Sequence, residues 1–304
     1  EVKWLVRTFL PHMAAGVSLE ASVLPALGAA QVLHLRGGGR AVVDGEVREA
    51  QEAVRTGFAL RPDVGALVGA LLGGGVAGVR HACVLHVGVP MQPMLAKPSV
   101  SVEDLLRRIA AALPGSAAPV WLAAEHKYDG QRAQIHRTPG GEVRIFSRKI
   151  DDMTYKYPDV VKVISRCARS ARALVLDAEI VPVLPPPGAQ RPEGEEGAGK
   201  AEIAAFQSLS TRKRKHVTEA NAASESVAVK VFLFDLLLLG GDVLLDRPFA
   251  ARRAALRAEF AEEASALGFA EVVDVDLSGH LRSSEAEPAA AAGRAETALP
   301  SRCA

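Results

Sequence analysis

Ala124-Glu125-His126-Lys127-Tyr128-Asp129-Gly130-Gln131-Arg132-Ala133-Gln134-Ile135-His136 is the stretch on which the reading of this chain turns. A lysine closes an apolar run, an Asp-Gly pair follows, and an arginine stands five residues beyond the lysine. Asp-Gly favours a tight turn, because Asp bonds its own backbone and Gly tolerates unusual dihedrals. The pattern therefore predicts strand, turn, strand, with Lys127 at a strand end and the Arg132 guanidinium able to return toward ribose or phosphate oxygens. Such an arrangement suits nucleotidyl transfer. A neutral amine is a good nucleophile, and proteins obtain one near neutral pH by partly burying a lysine or setting it beside other cations. Taken alone, the plainer reading of a lysine before an Asp-Gly turn is a solvated hairpin residue.

Working outward, the period downstream is that of strands: Trp121 to Glu125, Ala133 to His136, Val143 to Ser147, Ala173 to Val183 and Val227 to Leu239, most bounded by turns such as Pro139-Gly140-Gly141 and Gly240-Gly241-Asp242. Strands follow strands without regular helical crossovers, so the expected class is α+β with largely antiparallel sheets. Upstream, Val102 to Leu113 reads as a helix capped by Ser101. Val89-Pro90-Met91-Gln92-Pro93-Met94-Leu95-Ala96 reads as an extended lead-in, because each Pro biases its predecessor away from the helical region. A boundary is expected near residue 88. Before it, apolar residues recur at three- and four-residue spacings from Val2 to about Ala30, with a break at Gly16, and the helical pattern continues to Val79. Gly37-Gly38-Gly39 and Gly73-Gly74-Gly75 read as flexible connections within it. Pro185 to Lys200 reads as a surface loop and Ser283 to Ala304 as a disordered tail.

Composition sets outer limits. The 304 residues are 49% hydrophobic and 23% charged, which fits a soluble globular protein of one full domain and part of another. The formal net charge of +1 gives no global nucleic-acid signal, so any such contact must come from local patches. Three distant cysteines, Cys83, Cys167 and Cys303, imply neither a zinc site nor a disulfide scaffold, and point to a reducing intracellular compartment. Cys167 reads as a helix residue, and His126, His136 and His216 have no metal-ligand spacing. No uninterrupted apolar stretch reaches the roughly 18 residues that a membrane span needs, so no membrane association is expected. The chain begins at Glu1 without an initiator Met, which suggests an upstream part of the natural protein.

Glu125 to Arg132 resembles the lysine motif of ATP-dependent DNA ligases, and the longer string through His136 is similar to the eukaryotic replicative type. Four further segments agree in order and spacing: Phe146-Ser147-Arg148-Lys149 with Thr154 and Lys156-Tyr157-Pro158-Asp159; Leu176 to Val181; Phe206 to Lys215; and Val231 to Leu236. The resemblance spans most of residues 1 to 275. It implies a nucleotidyltransferase (adenylation) domain over 89–282, incomplete, preceded over 1–88 by the C-terminal part of a helical DNA-binding domain. It further implies that Lys127 takes AMP from ATP, passes it to the 5′-phosphate of a nick, and that the 3′-hydroxyl then seals the nick.

On the same basis Glu125, Arg132, Arg148, Glu179 and Phe234 are nucleotide-binding residues together with Lys127. Glu179 serves the ribose and Mg²⁺, and Phe234 stacks on adenine. Plainer rivals exist for each: Glu179 as an exposed strand carboxylate, Phe234 as core, Arg148 as a surface residue, Arg212 to Lys215 as a solvated basic face that also passes a loose nuclear-import pattern. The implied partner is nicked double-stranded DNA, bound by a monomer, in the nucleus or an organelle, with a sliding clamp as a further partner that the sequence does not display.

The family pattern is broken in three places. Ala14 stands where an Arg is usual, Lys149 where an Asn is usual, and after Asp276 there is no Glu-Gly-x-x-x-Lys segment, no later paired lysines and no oligonucleotide-binding barrel. The chain as given is therefore expected to be impaired in ligation. Two other readings stay open: a fragment that binds ATP or DNA without catalysis, and a related RNA ligase or capping nucleotidyltransferase, against which the helical segment and the Thr211 to Lys215 run argue.

Overall fold

The computed structural model describes residues 18–35, 43–113, 120–184, 203–211 and 227–278. The expected helix before Gly16, the Gly37–Gly39 connection, the loop from Pro185, the run Arg212 to Lys215, the tail from Ser283, and positions Ala14 and Cys303 lie outside these residues. In chain order the helices are α1 (Leu24–Leu35, entered through a π-turn at Leu19–Val23), α2 (Asp44–Leu60), α3 (Val64–Ala82), α4 (Val102–Ala112), α5 (Pro158–Cys167, after a 3-10 turn at Thr154–Lys156), α6 (Ser208–Thr211) and α7 (Phe249–Glu259). The strands are β1 (Trp121–Glu125), β2 (Gln131–Arg137), β3 (Val143–Ser147), β4 (Leu174–Pro182), β5 (Val229–Leu239), β6 (Asp242–Val243), β7 (Leu267–Phe269) and β8 (Val272–Asp276). The class is α+β, with every strand pair antiparallel except β5 and β7.

The described elements form two compact units, the first made of residues up to Met94 with Tyr128–Phe269, the second of Leu95–Lys127 with the residues from Ala270 onward. In the first unit α1, α2 and α3 bury a cluster that includes Leu24, Val54, Phe58, Leu67 and Val79. The connection expected at Gly73-Gly74-Gly75 falls at its last glycine: α3 is two helical segments that meet at Gly75, whose non-helical φ of 60° and ψ of −147° are open to glycine almost alone. By length and composition the residues of α3 would be enough to cross a membrane, although their uninterrupted apolar run ends at Arg80, short of the roughly 18 residues a span needs.

The sheet of the first unit has the order β3-β2-β4-β5-β6, with β7 added in parallel on β5. Strand side chains alternate between faces, and one face is apolar: Ala133 and Ile135 on β2, Leu176, Ala178 and Ile180 on β4, Val231 and Leu233 on β5 pack against α5 and α7. Removing each large aliphatic side chain from water contributes roughly 1.5–3 kcal/mol. α5 contains Cys167, which the sequence placed on a helix; its start, with Pro158 at the first turn as a good signal, was not read.

The other face is covered at one end by the chain leaving α3. Leu85 packs on Val175, Leu237 and Leu238, and a buried polar network fastens the next residues. The Gly88 N–H donates to His136 Nδ1 at 2.9 Å, so His136 Nε2–H donates to Gln134 Oε1 at 2.8 Å. Gln134 Oε1 also accepts from the Met91 N–H at 2.9 Å, and its Nε2 donates to the Met91 carbonyl at 3.2 Å.

Burial pushes the His136 imidazole down to about 4 from the ordinary 6.5. In the unfolded chain this histidine takes up a proton as the pH falls below its ordinary value, whereas the folded protein resists until about pH 4. The unfolded state thus binds more protons across that window, and stability falls as the pH falls. Between pH 7 and 4.5 the loss from this group is expected to be about 2–3 kcal/mol. Urea unfolding of the wild type and His136→Gln at both pH values checks it, and equal pH slopes for the two proteins would refute it.

In the second unit, Ser101 Oγ caps α4 by accepting from the Asp104 N–H at 3.1 Å. β1 and β8 pair antiparallel from Trp121 opposite Asp276 to Glu125 opposite Val272.

Candidate active site

The lysine motif begins where β1 ends. Glu125 is the last residue of that strand, and the His126 N–H donates to the Glu271 carbonyl at 3.0 Å. Lys127 follows and is exposed, so partial burial, one of the two routes to a neutral amine, is not found for it. Lys127 closes one unit and Tyr128 opens the other.

From Tyr128 to Gly130 the chain is pressed onto the sheet. The Tyr128 ring stacks on Phe232, with centroids 3.9 Å apart and planes 14° from parallel. A Cβ on Gly130 would lie 2.5 Å from the Ile180 carbonyl oxygen and 2.9 Å from Glu179 Cγ. The glycine is needed for this clearance, not for a left-handed dihedral, since its φ is not positive. Gly130→Ala is therefore expected to lower stability by about 1–3 kcal/mol, because the opposing atom is backbone and cannot rotate away; a urea midpoint equal to that of the wild type would contradict the clash.

Arg132 is the second residue of β2 and lies in register with Glu179 on β4, which in turn lies opposite Phe232 on β5. Its guanidinium is held by Asp177: Nε donates to Oδ1 at 2.9 Å and Nη2 donates to Oδ2. Nη1 donates to the Met94 carbonyl at 3.0 Å. The Asp177 hydrogen bonds raise the Arg132 pKa above its ordinary value. Burial pushes the Asp177 carboxyl up, and the facing guanidinium opposes that push.

Phe234 sits where the β4–β5 register slips between Asp177 and Ala178. Such a bulge re-aims a side chain, and Arg132 Cζ lies 5.7 Å from the centre of the Phe234 ring. The first unit thus brings Arg132, Glu179 and Phe234 to one region of one sheet face. Glu179 and Phe234 are both half-buried.

Arg148 is not part of this grouping by sheet position. It is exposed in the turn after β3, at the edge of the sheet. That turn is closed by Ser147 Oγ, which accepts from the N–H groups of Lys149 at 3.1 Å and Asp151 at 3.2 Å, so the Lys149 side chain is not what shapes it.

Sequence reasoning missed Asp177 and Tyr128. Asp177 is two residues before Glu179 on a strand, and alternation alone puts both on one face. Asp235 is engaged elsewhere, by Arg252 of α7 at 2.8 and 2.9 Å. Cys83 and Cys167 are buried free thiols, and burial raises the pKa of both. Among the described residues no group of three or more His, Cys, Asp or Glu could hold a metal ion.

Comparison with known proteins identifies the family. Residues 93–287 match the ATP dependent DNA ligase domain. The chain is 35% identical over 234 residues to DNA ligase 1 of Arabidopsis thaliana, covering 76% of this chain and 27% of that protein. It is 30% identical over 275 residues to DNA ligase 1 of Schizosaccharomyces pombe, covering 90% of this chain and 33% of that protein. It thus spans about a quarter to a third of these relatives' length. Among solved structures it is similar to a mycobacterial DNA ligase D complexed with ATP and MES, at 22% identity and a TM-score of 0.34, over 55% of this chain and 46% of that one. With the family match running from the Pro-marked lead-in through the lysine motif to beyond β8, the chain belongs to the ATP-dependent DNA ligase domain family.

Proposed function

We propose that this chain carries the AMP-accepting part of an enzyme that seals nicks in duplex DNA, with Lys127 as the acceptor. The observation that carries the reading is the delivery of Arg132, directly downstream of Lys127 in the chain, to the sheet face that also bears Glu179 and Phe234. In the first step the neutral Lys127 Nζ attacks the α-phosphorus of ATP. The bond to pyrophosphate breaks, the amine loses a proton, and a lysine-AMP phosphoramidate remains. The 5′-phosphate of a nick then takes the AMP, and the 3′-hydroxyl displaces it.

Each step is an in-line displacement at phosphorus, so placement and charge neutralisation supply most of the acceleration. In this reading Phe234 offers a ring to adenine, Arg132 offers its unused N–H donors to ribose or phosphate oxygens, and Glu125 and Arg148 are further nucleotide contacts. Mg²⁺ is commonly held by one or two carboxylates with water and phosphate oxygens. Glu179 fits that pattern as a half-buried carboxylate on the sheet face that bears Arg132 and Phe234. When bound there, the ion would neutralise phosphate charge. Residues 1–88 are assigned to DNA contact on the same reading.

Incubation with α-labelled ATP and Mg²⁺, followed by denaturing electrophoresis, tests the proposal. A label that survives denaturation is expected. Its absence at high protein concentration would overturn covalent chemistry and favour a chain that only binds ATP or DNA.

A further inference from the structure

Tyr157 is completely buried at the start of α5. A buried phenol hydroxyl needs a partner, and this one donates to Gln131 Oε1 at 2.6 Å. Lys156 Nζ donates to the same oxygen at 3.1 Å and lies 5.2 Å from the centre of the Tyr157 ring. Gln131 is the first residue of β2, directly after the Gly130 clearance point.

The donors themselves are fixed. The 3-10 turn that carries them is tied to β3, because Thr154 Oγ1 accepts from the Ile145 N–H at 2.9 Å, and Asp152 Oδ1 accepts from the Thr154 N–H at 2.9 Å. The four residues after Lys127 are therefore pinned twice: Tyr128 by its stack on Phe232, Gln131 by two donors from beside α5. Lys127 is bonded directly to the first of them.

We propose that Tyr157 and Lys156, acting through Gln131, are positioning residues that hold the turn after Lys127, and so set the approach of its amine to the nucleotide. The inference rests on the reading of Lys127 as the AMP acceptor. It concerns placement, so it moves the rate of amine attack and not the affinity for ATP. A displacement of about 1 Å at a reacting atom costs roughly 100-fold in rate.

Tyr157→Phe removes the hydroxyl and keeps the buried ring; Gln131→Ala removes the acceptor. In single-turnover labelling with α-labelled ATP and Mg²⁺, each is expected to slow label formation by roughly 10- to 100-fold, with the half-saturating ATP concentration unchanged. The double variant should be no slower than the slower single one. Both single variants labelling at the wild-type rate would overturn the proposal, as would independent multiplication of their effects.

Amide hydrogen exchange on the same proteins gives a readout free of the labelling reaction. Tyr157→Phe should speed exchange at Tyr128–Gln131 at least several-fold and leave β4 unchanged; unaltered exchange there overturns the anchor. If the wild type takes no label, the assignment of Lys127 falls and its positioning falls with it. The exchange result then states whether the anchor itself exists.

Discussion

Lys127→Arg is expected to take no denaturation-resistant label from α-labelled ATP, a loss of at least about 1,000-fold. The substitution keeps a positive charge on a long flexible stem. It removes the lone pair, because a guanidinium stays protonated throughout the working pH range. A merely electrostatic lysine would tolerate the change; a nucleophile cannot. Lys127 is exposed, so folding should be unaffected, with a stability change within about 0.5 kcal/mol. ATP binding measured without covalent reaction should change little, since Arg132, Glu179 and Phe234 are intact. Residual label above a few per cent of wild type in Lys127→Arg would reassign the acceptor.

Asp177→Ala is expected to lower stability by about 3 kcal/mol. The carboxylate is buried and bonded to two nitrogens of Arg132, and removing it strands a guanidinium facing Glu179 from the adjacent strand. About a quarter of the Arg132 side chain remains exposed, so the loss should fall at the lower end for a broken buried pair. Replacing both partners, as Arg132→Met with Asp177→Leu, should restore most of that stability, because neither charge is then stranded. It should not restore labelling. A double variant as unstable as Asp177→Ala would mean that the pair is held by more than its charges, and one that labels normally would remove Arg132 from the nucleotide site.

Much of the fold was legible because its signals are local. Alternation placed β1 and β3 to the residue, and Ser101 before an amphipathic run placed α4. Lys127, Arg132, Glu179 and Phe234 were named from motif order. What escaped depends on partners far away in the chain. The Arg132–Asp177 pair needs the β2–β4 register, and the bulge at Phe234 needs the β4–β5 register. β8 was not read although Val273-Asp274-Val275-Asp276 alternates, and it pairs with β1 from across the sequence. The break at Gly73-Gly74-Gly75 was legible because glycine penalises a helix and takes up the non-helical dihedrals found at Gly75.

The fastening of residues 88–91 onto β2 carries a consequence for cooperativity. Prising that segment away would leave the amides of Gly88 and Met91 and the side chains of Gln134 and His136 without their partners, while Leu85 left its seat on Val175. Partial opening at this join is costly, and the helices before it and the sheet after it should melt in a single transition. A scissile bond introduced into the segment would meet a protease only as often as the whole unit unfolds.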